Sequence, residues 1–164
     1  MICRAVGFAP VWDGESVALV LGSFPSVKSR ETDFYYGNPQ NKFWRLVCGF
    51  FGEEVPQGNE GKKEFLLRRK IALWDVVTEC EIEGSSDSSI RSARIADLPA
   101  FLEGTKIGRI YCNGSKSYTL LLKYYPQYAE ITVRLPSTSP ANVSFSCVPW
   151  QRALAEIKVL GESQ

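Results

Sequence analysis

The chain has 164 residues, of which 45% are hydrophobic and 23% charged, and this balance predicts one globular domain, residues 1–164, with a substantial core. Its 19 basic and 18 acidic residues leave a net charge of +1, so any attraction for nucleic acid must come from a local basic surface. The absence of histidine excludes histidine acid–base catalysis, Ser-His-Asp triads and the usual zinc sites. Any chemistry must use amides, hydroxyls, carboxylates or positioned water.

The cysteines also argue against a metal or iron–sulfur cofactor. There are five, with no CxxC pair among them, at Cys3, Cys48, Cys80, Cys112 and Cys147. We expect buried thiols and no cofactor. The odd number of cysteines and the absence of an N-terminal apolar run long enough for a signal or membrane segment predict a reducing, cytoplasmic location without membrane association.

The N-terminal half predicts one buried strand followed by one amphipathic helix. Ala5–Asp13 is interpreted as an irregular or edge segment, and the continuous apolar run Val17–Leu21 is typical of a strand buried on both faces. Helical spacing then begins after Asn41 and ends near Gly52. Its apolar positions are Phe43, Leu46, Val47 and Phe50.

The middle of the chain predicts a loop, a strand and a second loop. Gly58–Glu64 is glycine-rich and charged, which favours a loop leading to a short helix over Phe65–Arg69. Ile71–Val77 is the second predicted strand. The polar run Gly84–Ser89 is interpreted as a loop that caps a helix starting at Ile90.

The C-terminal part completes an alternation of strands and helices. Ile107–Cys112 and Ile131–Leu135 are predicted strands. Helical stripes are formed by Tyr118, Leu121, Leu122 and Tyr125, and after Pro149 by Trp150, Ala153, Leu154 and Ile157. This alternation predicts an α/β fold with a mostly parallel sheet covered by helices on both faces, and a ligand site at the carboxyl ends of the strands.

Three polar loops follow predicted strands and are expected to converge on that site. They are Gly22-Ser23-Phe24-Pro25-Ser26, Asn113-Gly114-Ser115 and Leu135–Asn142. The first loop belongs to the stretch LGSFPSVKSRETDFYYGNPQNKFW, which combines hydroxyls, three consecutive aromatic residues and a carboxamide. Aromatic faces can stack on a flat ligand, and hydroxyls and backbone amides can bind phosphate. These residue types favour a site for one nucleobase.

The chain resembles the uracil-DNA glycosylase superfamily, and most closely its hypoxanthine (deoxyinosine) branch. The matching segments, in the order of that family, are GSFPSVKSRE, FYYGNPQNKFW, LWDVV with CEIEGSSDSSI, the CNG turn and LPSTSPAN. The resemblance implies a three-layer α/β/α sandwich with a central four-stranded sheet, no metal, and cleavage of the bond between a deaminated base and deoxyribose. Such cleavage needs a held water and donors that stabilise the departing base, and it requires no histidine. The base must first leave the duplex.

The resemblance implies that Asn113 reads the base. A carboxamide offers one acceptor and one donor, which match the N–H and C=O of hypoxanthine or uracil and mismatch adenine and cytosine. The alternative is that Asn113 and Gly114 only form a tight turn.

The first motif of related branches carries a water-positioning asparagine where this chain has Phe24, which cannot do that work. The resemblance therefore implies that Asn41 is the catalytic amide. The alternative is that Asn41 only caps the following helix.

Tyr36 is expected to stack on the flipped base, with Phe24 also in the base-binding set, although consecutive aromatics are often divided between core and surface. Asn38 departs from the histidine that relatives carry before the proline. Asp75 and Asp87 are explained by strand-end support and helix capping, and are not predicted to be catalytic.

The LPSTSPAN loop resembles the motif that enters the minor groove. The predicted DNA-binding residues are Gly22, Ser23, Pro25, Ser26, Lys28, Ser137, Thr138 and Ser139. Arg30, Lys42, Arg45 and Lys116 form a possible basic rim. The alternative is that the loop is only a surface turn and that the cations are only solvated side chains.

The sequence thus predicts a monomeric, monofunctional DNA glycosylase of base excision repair. Its expected partner is DNA containing a deaminated base, with hypoxanthine as the first expected substrate and uracil or xanthine as further ones. No lysine in the matching motifs is placed for a Schiff base, so strand cleavage is not expected. The alternative is a non-catalytic damaged-DNA or nucleotide-binding module. A generic nucleotide-binding α/β protein is disfavoured because GxxxxGK[ST] and GxGxxG are absent.

Overall fold

The computed structural model describes residues 2–162 and contains two sheets. The central sheet has four strands in the order β3-β2-β6-β7, and every neighbouring pair is parallel. A smaller antiparallel sheet has the order β1-β4-β5. The strands are β1 Ile2–Val6, β2 Ala18–Gly22, β3 Ile71–Asp75, β4 Val77–Glu83, β5 Arg91–Ile95, β6 Arg109–Asn113 and β7 Thr132–Leu135.

Helices cover both faces of the central sheet, as predicted. The helices are α1 Val27–Thr32, α2 Phe43–Phe50, α3 Asn59–Arg68, α4 Leu98–Glu103, α5 Ser115–Tyr124 and α6 Val148–Glu162. Because side chains alternate along a strand, Val20 of β2 packs on one face and Leu19 and Leu21 on the other. The Val20 face meets α2, α3 and α6, and the opposite face meets α4 and α5. The expected α/β/α sandwich is confirmed.

The smaller sheet was not predicted, and two predictions within this part of the fold were wrong. The helix expected from Ile90 is instead strand β5, whose residues 91–94 are exposed and carry no helical stripe. The loop Gly84–Ser89 therefore closes a β4–β5 hairpin and caps no helix. The predicted strand Ile71–Val77 is also two elements, because β3 ends at Asp75 and β4 begins at Val77.

A third prediction was wrong at the start of α3. Residues 59–64, predicted as loop, already belong to the helix Asn59–Arg68. Its glycine content misled the prediction: Gly61 lies against Pro56, where an added Cβ would be 2.8 Å from Pro56 Cβ. The predicted edge segment Ala5–Asp13 ends β1 and then bridges β3 through Val11.

Among residues 2–162, no helix is long and apolar enough to cross a membrane.

Candidate active site at the ends of the parallel strands

A cavity of about 280 Å³ lies at the carboxyl ends of the central strands, and we call it the strand-end cavity. It is bounded by the loop after β2, the α1–α2 connection, the last residues of β3 and β6, the β4–β5 loop and the loop after β7. Its lining residues are Gly22, Ser23, Phe24, Pro25, Ser26, Ser29, Tyr35, Tyr36, Asn38, Asn41, Asp75, Ser85, Asp87, Asn113, Ser137, Thr138, Ser139, Pro140 and Ala141. All predicted site residues are therefore together except Lys28.

Asn113 is held in one orientation by Thr138. The Asn113 Oδ1 accepts a hydrogen bond from the Thr138 backbone N–H at 2.9 Å, and Asn113 Nδ2 donates to Thr138 Oγ1 at 2.9 Å. Thr138 is fully buried, so both contacts are sheltered from water. One amide hydrogen and one oxygen lone pair of Asn113 remain for a ligand. Next to Asn113, Gly114 has a φ of 104°, a conformation that favours glycine.

Asn41 reaches the same cavity through the loop after β7. The Lys42 backbone N–H donates to the Thr138 carbonyl oxygen at 3.0 Å, which ties the start of α2 to the residue that holds Asn113. The Asn41 Oδ1 accepts from the Phe43 N–H at 2.9 Å. This contact caps the start of α2 as the alternative expected, although the helix begins at Phe43 and its N-cap residue is Lys42; Asn41 also lines the cavity. Within residues 2–162 no hydrogen-bond acceptor contacts Asn41 Nδ2, which leaves its hydrogens for a ligand or water.

Phe24 and Tyr36 border the cavity from two sides. Phe24 is 8% exposed and packs on the core of the smaller sheet, with the Arg30 guanidinium 5.6 Å from its ring centre. Tyr36 has a φ of 54° and its ring centre is 4.4 Å from that of Phe43. The Tyr36 hydroxyl is buried beside Asn113 but forms no hydrogen bond of good geometry in the described part of the chain. Burial raises the pKa of this phenol, which therefore stays neutral.

The β4–β5 loop closes one wall and is fastened to the loop after β2 and to α1. The Ser23 hydroxyl donates to Asp87 Oδ1 at 2.9 Å, and the Val27 N–H donates to Ser85 Oγ at 2.9 Å. The Arg30 guanidinium donates to the Gly84 carbonyl oxygen at 2.6 Å. Sequence reasoning missed this wall because the loop was assigned to a helix start.

Asp75 is the one strongly perturbed carboxyl group of the cavity. It is 5% exposed and lies directly beside Gly22 in the parallel pairing of β2 and β3. A Cβ on Gly22 would collide with Asp75 Oδ1 and approach the Tyr36 hydroxyl to 3.2 Å, so only glycine leaves room at this position. Burial, followed by the charge of Asp87, raises the pKa of Asp75 to about 7. The sequence placed Asp75 in strand-end support, and its burial in the cavity is seen only in the structure.

Asp87 is perturbed in the same direction. Burial raises its pKa, while the Ser23 hydrogen bond and the nearby positive charge of Lys116 act in the opposite sense. Burial therefore raises the pKa of both carboxyl groups in the strand-end cavity. Across residues 2–162, no group of three or more His, Cys, Asp or Glu side chains is placed to hold a metal ion.

The loop after β7 presents donors to the cavity mouth. The Ser137 hydroxyl oxygen accepts from Ser139 N–H at 3.2 Å, and the Ser139 hydroxyl oxygen accepts from Ala141 N–H at 3.2 Å. Both hydroxyl hydrogens remain for an external acceptor. Further along the same loop, Val143 is 95% exposed. Lys28 lies outside the cavity and pairs with Glu31 at 3.8 Å on the surface, so its predicted DNA contact stays a prediction.

The chain is similar to proteins whose names match the sequence prediction. It is 40% identical over 144 residues to the hypoxanthine DNA glycosylase of Methanosarcina acetivorans, which covers 85% of this chain and 89% of that protein. It is 36% identical over 140 residues to the hypoxanthine DNA glycosylase of Methanosarcina barkeri, covering 83% of this chain and 87% of that protein. No family model matches the chain.

A solved structure supports the fold assignment. A solution NMR structure of a Methanosarcina acetivorans protein, described as a proposed uracil DNA glycosylase, superposes with a TM-score of 0.80 at 36% identity, over 96% of this chain and 99% of that one. At this identity and coverage, the chain belongs to the hypoxanthine DNA glycosylase family of the uracil-DNA glycosylase superfamily.

Proposed function

We propose that this protein hydrolyses the N-glycosidic bond of hypoxanthine in DNA and leaves an abasic site. The observation that carries the proposal is the convergence of Asn41 and Asn113 on one cavity. At about 280 Å³ the cavity is just below the range of roughly 300–1,000 Å³ that holds drug-sized ligands, which suits one flipped base. The two amides come from separate elements and are joined through Thr138.

Asn113 acts as the base reader in this proposal. The free amide hydrogen and oxygen lone pair meet the C=O and N–H of hypoxanthine, whereas adenine presents the opposite pattern. Thr138 fixes which end of the amide is oxygen, since its N–H can only donate. A fixed amide distinguishes hypoxanthine from adenine better than a rotating one, because it cannot turn over to form hydrogen bonds with the opposite pattern of adenine.

Asn41 positions the attacking water. Its oxygen retains a lone pair after capping α2, and its NH₂ group is uncommitted, so one carboxamide can both accept from and donate to a water near the sugar. Attack on the sugar carbon is accelerated because the water is already oriented. The cap itself is useful, since the hydrogen bond to Phe43 N–H restrains the side chain.

The loops at the cavity mouth hold the DNA. Hydroxyls of Ser137 and Ser139 and the loop after β2 provide neutral phosphate contacts, which suits a chain with a net charge of only +1. Val143, exposed on the same loop, provides an apolar contact to the opened duplex. The protein is proposed to act as a monomer in the cytoplasm, where its bacterial or archaeal DNA would lie.

The test is base release from duplexes that differ in one nucleotide. Duplexes containing deoxyinosine, deoxyuridine, deoxyxanthosine or only normal bases are incubated with excess protein, and released base is identified by mass spectrometry while alkali reveals abasic sites. We expect hypoxanthine release, alkali-labile sites, and no strand break before alkali. A retarded duplex that keeps its hypoxanthine would show that the protein only binds damaged DNA.

A further inference from the structure

Two buried polar atoms in the strand-end cavity lack partners. Among residues 2–162, Asp75 Oδ2 and the Tyr36 hydroxyl are the buried side-chain oxygens or nitrogens for which no hydrogen bond is formed. Burying a carboxyl group without a hydrogen-bond partner destabilises the fold, and such groups are typically found where they have a functional role. Asp75 lines the same cavity as Asn41 and Asn113, so its role is expected to involve the base bound there.

Burial, and after it the charge of Asp87, favours the protonated form of Asp75 below about pH 7. Asp87 approaches from the β4–β5 loop, and Tyr35 and Tyr36 approach from the α1–α2 connection. None of these groups is cationic, and no lysine or arginine contributes to the pKa of Asp75, which burial raises to about 7. A carboxyl group near neutrality can hold a proton and deliver it, as a general acid must.

We propose that Asp75 is the general acid that protonates the departing purine. As the bond between the sugar carbon and the base nitrogen breaks, its electron pair moves into the purine, and Asp75 transfers its proton to a ring nitrogen. Water held by Asn41 forms the new bond to the sugar carbon and releases its proton to solvent, from which the Asp75 carboxylate is reprotonated. The products are one neutral hypoxanthine and one abasic deoxyribose for each water consumed.

This role fits a purine better than a pyrimidine. Hypoxanthine retains basic ring nitrogens away from the glycosidic bond, whereas uracil offers only carbonyl oxygens as acceptors. Protonation of the leaving group matters most when the base leaves poorly as an anion. The inference rests on the proposed hydrolysis of deoxyinosine, and it adds the source of the proton, which neither asparagine can supply.

The test is the pH dependence of base release from a deoxyinosine duplex under single-turnover conditions between pH 5.5 and 9. For the unaltered protein, we expect the rate to fall by about tenfold per pH unit above the pKa of Asp75, because only the protonated acid is competent. We expect Asp75→Asn to be about a hundredfold slower at pH 6 and to show no such fall, since an amide has no proton to transfer. Thermal unfolding of both proteins verifies that the variant is folded.

A second variant tests the same idea with Asp75 intact. Asp87→Asn removes the charge that helps to raise the pKa of Asp75. The falling limb of the pH–rate profile should therefore move to lower pH. An Asp75→Asn rate within about threefold of the unaltered rate at pH 6, an unchanged pH profile in that variant, or an unmoved limb in Asp87→Asn would overturn the assignment. Failure of the unaltered protein to release hypoxanthine would instead overturn the proposed function.

Discussion

Asp75 is predicted to reduce the stability of the folded protein as pH rises. Its carboxyl has a folded-state pKa of about 7, against an ordinary value of 3.8. Between these values the folded chain binds more protons than the unfolded chain. Asp75 therefore makes the free energy of unfolding fall as pH rises. Its contribution to stability is fully present below about pH 4 and is lost as pH rises through about 7.

The size of this effect follows from the two pKa values. Their difference of about 3 units corresponds to about 4 kcal/mol over the whole range, because one unit is worth about 1.4 kcal/mol. Somewhat less than 3 kcal/mol of it falls between pH 5 and pH 8. Asp75→Asn removes the titration, so the variant should gain about this amount of stability relative to the unaltered protein when pH is raised from 5 to 8.

Urea unfolding of both proteins at pH 5 and pH 8 measures this difference directly. All other titrating groups are shared, so their contributions cancel in the comparison. Asp33→Asn is a matched control for the loss of one aspartate charge, because Asp33 is exposed at the end of α1. If the stability difference between Asp75→Asn and the unaltered protein stays within about 0.5 kcal/mol from pH 5 to pH 8, the argument from burial is wrong.

Three further substitutions test other parts of the site. Gly22→Ala should destabilise the protein by about 1–3 kcal/mol in urea, because its methyl group would meet Asp75; an unchanged midpoint would contradict the close approach. Thr138→Val keeps the backbone N–H but removes the acceptor for Asn113 Nδ2, and should lower the ratio of hypoxanthine to adenine release by about tenfold, while Thr138→Ser retains it; equal ratios would show that the Nδ2 hydrogen bond does not help to hold Asn113. Val143→Asp should weaken the affinity for duplex DNA by about tenfold, whereas Val6→Asp, at the exposed valine of β1, should not. Equal effects of the two substitutions would show that the loop after β7 does not contact DNA.

The sequence predicted those parts of the fold in which burial is periodic. The apolar run around β2 is buried along its whole length, and Phe43 and Val47 of α2 face the core at helical spacing. The smaller sheet escaped prediction because β5 is almost wholly exposed and its pairing with β4 is interrupted, so no alternation marks it. Its existence depends on tertiary pairing rather than on local pattern.

The sequence predicted which residues line the cavity, but not the hydrogen bonds that join them. Strand-end reasoning and resemblance brought Asn41 and Asn113 to one cavity, where the structure places them. The role of Thr138 as their common anchor depends on hydrogen bonds between residues 25 positions apart, which no motif encodes. Asp75 was set aside because strand-end support explained it equally well, and only its burial without a partner reveals a reason to reconsider it.

The central claim is that an amide in this cavity activates water for cleavage of the glycosidic bond. The most direct measurement is the single-turnover rate of hypoxanthine release by Asn41→Ala, beside Gln40→Ala at the neighbouring exposed amide. Loss of the cap should cost only about 1 kcal/mol of stability, so the protein should remain folded. We predict a loss of about a hundredfold or more for Asn41→Ala and little change for Gln40→Ala. An Asn41→Ala rate within a few-fold of the unaltered rate would contradict the account.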